Sequence, residues 1–359
     1  MKVAYLIGGI YNGGQERQLL LLCNELKGKV NCDVLVWNIT DADKLMHNNF
    51  IESDIRLIEI PKGSYILKIR YLINFIKANK YEIIHSYSFY LNFIVVILGL
   101  FTKIKGIGGI RNELKQCKID GKFLFFISTF FNRNLVSNNQ KAIDEIKKIW
   151  WMNTFWSNVF LIRNGVSIQK TNNELNVSKK IDIISIGRFA RQKRWDLFFN
   201  VIYELKKIRP FISVNIYGSG PLKKELLNLI KKLNMENNIQ LCDPVKNVSE
   251  VLKNGRIFML TSEAEGMANV IVEAMLNGLP VVCTNAGDNS YLIKEGVNGF
   301  VFEINDYINM VDCIDLLLND EKNRCKIGKN NIRKATDCYS PEIYSKSILL
   351  LYKNLLNNK

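Results

Sequence analysis

The sequence has only two histidines, His47 and His85, and none of its eight cysteines form a C-x-x-C pair. Cys23, Cys32, Cys117, Cys242, Cys283, Cys313, Cys325 and Cys338 are scattered, the pattern of reduced, mostly buried thiols in a cytosolic protein. Long apolar runs are absent as well. The longest, Phe93 to Phe101, falls far short of the ~20 residues that span a bilayer, so no segment is expected to cross a membrane. Val3 to Ile7 is too short for a signal-peptide core and runs straight into Gly8 and Gly9, so no secretory signal is expected. Acidic residues are scarce: 34 Asp and Glu face 49 Lys and Arg, a net charge of +15 that must lie on the surface and attract polyanions. Nucleic acid, anionic lipid and phosphorylated small substrates all fit that excess. The spacing G-x-G-x-x-G of a dinucleotide fingerprint is missing, which disfavours NAD. Repeats and low-complexity tracts are missing too.

What is present is ordinary globular material. With 48% apolar and 23% charged residues over 359 positions, the chain can build two domains, each with its own core. Lys2 to Ile7 reads as a buried strand that ends in a loop with Gly8, Gly9, Gly13 and Gly14, followed by a helix over Leu19 to Leu26. Strands at Cys32 to Asn38, Ile55 to Ile60 and Tyr81 to His85 alternate with helical segments such as Tyr65 to Lys77. Such alternation predicts a doubly wound parallel sheet. Asp41 to Asp43 reads as a solvated turn with no other metal ligand nearby, and Gln169 to Lys180 reads as a polar linker. A second alternating series opens at Ile181 to Ile186.

The most informative stretch is Thr261 to Asn285. A strand, Ile257 to Leu260, enters a polar loop with Glu263, Glu265 and Gly266; Asn269 stands at the expected N-cap of a helix over Val270 to Leu276, and Gly278 stops it. A helix start facing a strand end points backbone N–H groups and a positive dipole into one crevice, where an anionic ligand is best placed. Glu265 and Glu273 stand beside it. A carboxylate there is favoured in its ionised form and suits the hydroxyls of a sugar or ribose. In the second series, Arg188 and Lys193 bracket a tight loop after a strand, where two cations would balance a diphosphate.

Glu265, seven residues, Glu273 and then Ala274-Met275-Leu276-Asn277-Gly278-Leu279-Pro280-Val281 resemble the mark of the retaining glycosyltransferases of GT-B fold, group 1 or family 4. The resemblance implies an α/β fold of two Rossmann-like doubly wound parallel-sheet domains facing a cleft. Residues 1–167 would form the acceptor-side domain, joined by a closing helix over 341–359, and 168–340 the nucleotide-sugar domain. It implies that Glu265 and the amides of Gly266, Met267, Ala268, Asn269 and Val270 meet the donor sugar, that Glu273 meets the ribose, and that Arg188 and Lys193 hold the pyrophosphate. Gly13-Gly14-Gln15-Glu16 resembles the family's Gly-Gly-x-Glu, which puts Gly14 on the donor side. Asn164-Gly165-Val166 resembles the turn that closes the first domain, with Ser167 in place of the usual Asp. Ala268 stands where many members have Pro, and Arg194 where Gly is commoner.

The reading that follows is a metal-independent retaining glycosyltransferase with a nucleotide diphosphate sugar, expected to be UDP-linked, as co-substrate and with no cofactor. Glu265 and His85 are the catalytic candidates, His85 as a cleft wall at a strand end; Arg111 and Tyr87 are placed on the acceptor side, Arg111 toward a phosphate. The expected acceptor is a saccharide, lipid-linked, in O-antigen or capsule assembly. Phe89 to Phe101 reads as a core helix, whereas Phe123 to Phe131, aromatic and preceded by Lys115, Lys118 and Lys122, reads as a segment resting on an anionic inner-membrane surface. The protein is thus expected in the cytoplasm, peripheral on that membrane. Two alternatives are a UDP-sugar 2-epimerase of the same fold, whose carboxylate and His pattern is not apparent, and a basic nucleic-acid-binding protein, which leaves the Glu265 and Glu273 spacing unexplained.

Overall fold

The computed structural model describes residues 1–11, 13–38, 43–112, 114, 122–149, 158–167 and 180–357, with only the backbone at 122–124. Asp41 and most of the polar stretch from Gln169 onward therefore lie outside the described residues, as do Lys115, Lys118 and Cys117. The chain divides into two compact units, Met1–Ser167 with Pro341–Lys359, and Ile168–Ser340.

The first unit runs β1 (Lys2–Ile7), α1 (Gly14–Leu26), β2 (Asn31–Val36), α2 (Lys44–Glu52), β3 (Arg56–Glu59), α3 (Tyr65–Asn79) and β4 (Ile83–Ser86). It continues with α4 (Asn92–Phe101), β5 (Lys105–Ile110), α5 (Lys122–Phe130), β6 (Asn134–Ser137), α6 (Gln140–Lys147) and β7 (Asn158–Leu161). Its seven-stranded sheet has the order β3-β2-β1-β4-β5-β6-β7, and each pairing is parallel. A parallel sheet is covered by helices on both faces, which is why β1 is apolar without alternation after Lys2 and all four residues of β4 are buried. Val3, Ala4, Tyr5 and Leu6 have no exposure on either face.

The second unit runs β8 (Ile181–Ile186), α7 (Trp195–Ile208), β9 (Val214–Tyr217), α8 (Lys223–Lys232), β10 (Ile239–Cys242), α9 (Val248–Leu252) and β11 (Gly255–Leu260). Then come α10 (Asn269–Leu276), β12 (Val281–Thr284), α11 (Asn289–Leu292), β13 (Gly299–Phe302), α12 (Tyr307–Asn319) and α13 (Glu321–Tyr339). Its six strands, again all parallel, have the order β10-β9-β8-β11-β12-β13. Strand order reverses between β1 and β4 in the first unit and between β8 and β11 in the second. Ligands of doubly wound sheets gather at the carboxyl ends of the strands at such a reversal.

α14 (Pro341–Asn357) belongs to the first unit. Tyr344, Ile348, Leu351 and Tyr352 pack into one cluster with Leu19, Leu22 and Leu26 of α1. The buried stripe runs through Tyr344, at 2% exposure, whereas Ile343 beside it is 38% exposed. The reason is polar as well as apolar: Tyr87 Oη and Tyr344 Oη are 2.7 Å apart, and Tyr352 Oη lies 2.8 Å from His85 Nδ1 and donates to Tyr5 Oη at 3.2 Å. Two tyrosines one helical face apart thus pin the closing helix to β1 and the end of β4.

The aromatic stretches part differently from the sequence expectation. α5 buries Phe125, while Phe126, 39% exposed, stacks on Phe130 at 5.0 Å, and Phe131, 53% exposed, meets Phe130 at 4.8 Å. α4, expected as core, buries only one of its two apolar faces: Leu100 is 76% and Phe101 62% exposed. Asp43, the described end of the Asp-Ala-Asp turn, caps α2 by accepting from the Met46 amide at 2.9 Å.

Tyr352→Phe should cost about 1–3 kcal/mol in urea unfolding, because it leaves His85 Nδ1 buried without a partner. Burial, and secondarily the Arg111 charge, hold the His85 imidazole well below its usual range, so it stays neutral when folded. The unfolded chain takes up that proton below pH ~6.5, so this stability is present above that pH and is lost as pH falls. Between pH 7 and 5 the wild type should therefore lose up to about 1.4 kcal/mol per pH unit more than His85→Gln does, read by urea titration at each pH.

Candidate functional site

In the second unit, two loops leave the sheet at the reversal between β8 and β11. The loop after β8 is held backbone to backbone: Phe189 N donates to Ser219 O at 2.8 Å, and Gly187 N to Tyr217 O at 3.0 Å. Gly220, at φ +154°, has room for no side chain, since a Cβ would stand 2.5 Å from the Phe189 carbonyl oxygen. Trp195 Nε1 donates to Arg188 O at 3.1 Å, which fixes the turn from below. Arg194 takes the left-handed conformation, φ 47°, and thereby explains why Gly is commoner at this position. Bidentate pairing with Asp196, at 2.8 to 3.1 Å, and Glu263 at 3.9 Å hold it there.

The loop after β11 is tied to the first. Thr261 Oγ1 donates to Lys193 O at 3.0 Å, Gln192 Nε2 to Ala264 O at 2.5 Å, and Glu263 N to Gln192 O at 2.9 Å. At the centre Lys193 Nζ meets Glu265 Oε1 at 2.5 Å, and Ser262 Oγ donates to the same oxygen at 2.6 Å. Both charged side chains are largely covered, 17% and 13% exposed. Gly287, at φ +51°, lies against this loop so closely that a Cβ would overlap the Glu265 carbonyl oxygen. Asp288 N donates to Gly266 O at 3.1 Å.

α10 starts at Asn269, and its N-cap is Ala268 at φ −74°, ψ 91°, one residue earlier than the sequence suggests. That φ is one proline adopts, so Ala268 keeps the backbone course while leaving an amide that proline would lack. Ala268 has no side chain with which to cap the helix, whose positive dipole end lies at this loop. Gly266, Met267 and Ala268 are buried; Asn269, Val270 and Glu273 are half-buried. The structure thus brings Lys193, Glu265 and the backbone from Gly266 to Val270 to one place at the strand ends. Arg188, on the same loop as Lys193, is exposed and makes no ion pair among the described residues. Chemically this is an anion cradle with a carboxylate at its side. Gln192 was not legible beforehand, because its role comes from a contact between loops 72 residues apart; Ser262, three residues before Glu265, is a local partner that no motif marked.

The first unit answers differently. Gly14 opens α1 and is exposed, behind the N-cap Gly13. Glu16 folds its carboxyl back onto Gly13, where a Cβ would stand 2.5 Å from Oε2, so it serves its own helix start. Burial pushes that carboxyl up, against the opposing pull of backbone N–H groups. His85 and Tyr87 were expected on a cleft wall and on the acceptor side. Both are instead fully buried, His85 in ring contact with Tyr5, Tyr87 and Tyr352, because β4 is the central strand beside β1 and the tyrosines of α14 close over it.

Arg111 follows β5 directly and is 6% exposed. Its Nη1 donates to Asn164 Oδ1 at 3.2 Å, and its Cζ lies 4.3 Å from the Tyr87 ring centre. Among the described residues, Nε and Nη2 have no hydrogen-bond partner, nor has Oδ1 of neighbouring Asn138. Burial works against its charge, but the Tyr344 and Tyr87 hydroxyls outweigh this and raise its pKa. A buried guanidinium with donors unused and no carboxylate against it among the described residues has the chemistry to take an anion. Among the described residues, no group of three His, Cys, Asp or Glu side chains could hold a metal ion.

Comparison with known proteins gives these arrangements a family. Residues 167–334 match the family described as Glycosyl transferases group 1. An uncharacterized glycosyltransferase of Haemophilus influenzae is 32% identical over 173 residues, covering 46% of this chain and 49% of the relative. The poly(ribitol-phosphate) alpha-N-acetylglucosaminyltransferase of Staphylococcus aureus is 27% identical over 224 residues, 62% of this chain and 44% of that one. The chain spans about half the length of these curated relatives. Among solved structures, Anabaena HepE in complex with UDP superposes at a TM-score of 0.83 over 99% of this chain and 100% of that one, at 17% identity, a likeness of fold. The match to glycosyl transferases group 1 thus spans nearly all of the second unit, and the chain as a whole has the GT-B fold.

Proposed function

We propose that this protein is a retaining, metal-independent glycosyltransferase that moves a sugar from a UDP-linked donor to a saccharide acceptor with formation of an α-glycosidic bond. The observation that carries the reading is the contact of Lys193 with Glu265 beside the start of α10, at the strand reversal of the unit that matches the group 1 model. The solved structure of like fold that contains UDP, and the relative whose printed name is an alpha-N-acetylglucosaminyltransferase, support it.

As the sugar leaves, negative charge grows on the diphosphate. Arg188, Lys193 and the amides at the start of α10 meet that charge with donors already in position, which lowers the barrier most where charge develops. For this, Lys193 turns from Glu265 to phosphate, and Glu265 is freed to accept from a sugar hydroxyl. Glu273 accepts from the ribose, and the backbone from Gly266 to Val270 follows the donor. No covalent nucleophile is invoked. On the acceptor side, Arg111 meets an anionic group, whereas His85 and Tyr87 act as positioning residues behind it. The acceptor is a lipid-linked oligosaccharide in O-antigen or capsule assembly, reached on the cytoplasmic face of the inner membrane.

Incubation with a panel of UDP-sugars and a glycosyl-lipid acceptor in EDTA should release UDP and give a product with α anomeric proton couplings by NMR. A β product, or turnover only with added divalent metal, contradicts the proposal. Lys193→Ala should weaken UDP binding by about tenfold or more, a loss of ~1.4 kcal/mol. Glu265→Gln should separate the two roles: UDP binds as well as before or tighter, because Lys193 is released, while turnover falls about 100-fold or more.

A further inference from the structure

α4 carries two apolar stripes and not one charged residue. Its inner stripe, Ile94, Val95 and Leu98, is at most 1% exposed and packs on the sheet. The outer stripe, Phe93, Val96, Ile97, Leu100 and Phe101, has the same three-and-four spacing, and its far end is the most open. α3 extends this surface. Tyr65, Ile66 and Leu67, in its first turn, are 56%, 78% and 61% exposed, and the Tyr65 and Phe93 rings stand 6.1 Å apart. Scattered exposed apolar residues need no account, but two adjacent helices that present a shared apolar face do.

The charges around that face have one sign. From residue 60 to 105 there are seven Lys and Arg and a single acid, Glu82. Glu82 is already engaged by the Met1 amine at 3.7 Å and the Lys2 amide at 2.8 Å. Lys62, Arg70, Lys77, Lys80 and Lys103 are exposed and form no ion pair among the described residues. A second copy of the chain would bring the same positive charge to the same face and be repelled. Nucleic acid would use the cations but leave the apolar stripe in water.

We propose that the outer face of α3 and α4 docks on an anionic lipid bilayer, with Ile66, Leu100 and Phe101 entering the acyl boundary and the five cations lying among the headgroups. This face lies on helices other than α5, the segment that the sequence singles out, whose Phe126 and neighbouring Phe131 are also exposed. A lipid-linked acceptor would give the contact a purpose; the contact itself is read without donor or acceptor, so either reading can fail alone.

The test is co-sedimentation with sucrose-loaded vesicles of phosphatidylglycerol and phosphatidylcholine in equal parts, against vesicles of phosphatidylcholine alone. The wild type should bind the mixed vesicles at least about tenfold more tightly than the neutral ones and lose that preference in high salt. Leu100→Glu with Phe101→Glu should weaken binding by about tenfold or more with an unchanged melting temperature, since both side chains are exposed. Ile308→Glu with Leu316→Glu, an equally exposed pair on α12 (60% and 69%), should change nothing. Equal loss in both double variants, full binding in the α4 variant, or no wild-type binding overturns the inference. So does a wild-type dimer in sedimentation without lipid that the α4 variant dissolves.

Discussion

Parallel pairing is the constraint from which the rest of the molecule follows. A parallel strand is reached only by a crossover, and a crossover helix begins where the previous strand ends. In both sheets, then, helix starts and strand-end loops collect along one edge, and the reversal of strand order opens a gap there. Between β8 and β11 that gap is filled by the two loops that meet at Lys193 and Glu265. Between β1 and β4 it is closed by tight local packing: Gly8 N donates to Ser88 Oγ at 3.1 Å, and the tyrosines of α14 cover His85.

The Lys193–Glu265 contact is a stored substitution. Each side chain is mostly withdrawn from water and has the other as compensation, so neither charge is left uncompensated when no ligand is bound. A diphosphate offers Lys193 more negative charge than one carboxylate, and a sugar hydroxyl offers Glu265 a donor in exchange. Ser262, which donates to the same Glu265 oxygen, keeps that carboxylate in place through the exchange. Gly287 and Gly220 matter for the same reason: backbone lies so close to backbone that the loops have little freedom to drift apart.

The fold class was legible because strands buried on both faces read as mainly apolar runs alternating with helical segments, and Ile181 to Ile186 is recovered to the residue as β8 despite Asp182 and Ser185. The loops of the second unit were legible as places, since glycines and charges punctuate them. What the side chains do there was not. Glu265 and Lys193 are 72 residues apart, and no local pattern announces that they meet. His85 reads as a strand-end ligand until Tyr352, 267 positions away, is found on its Nδ1. α4 has two apolar faces of the same period, and hydropathy alone cannot say which one the sheet takes.

The account rests on a diphosphate binding to the second unit through Lys193 without help from a metal. Calorimetric titration of the protein with UDP in the presence of EDTA tests this most directly. One site per chain, weakened by sulfate and by Lys193→Ala but not by chelation, is the result the account requires. Absence of heat in EDTA that returns with magnesium, or an isotherm indifferent to Lys193, would contradict it.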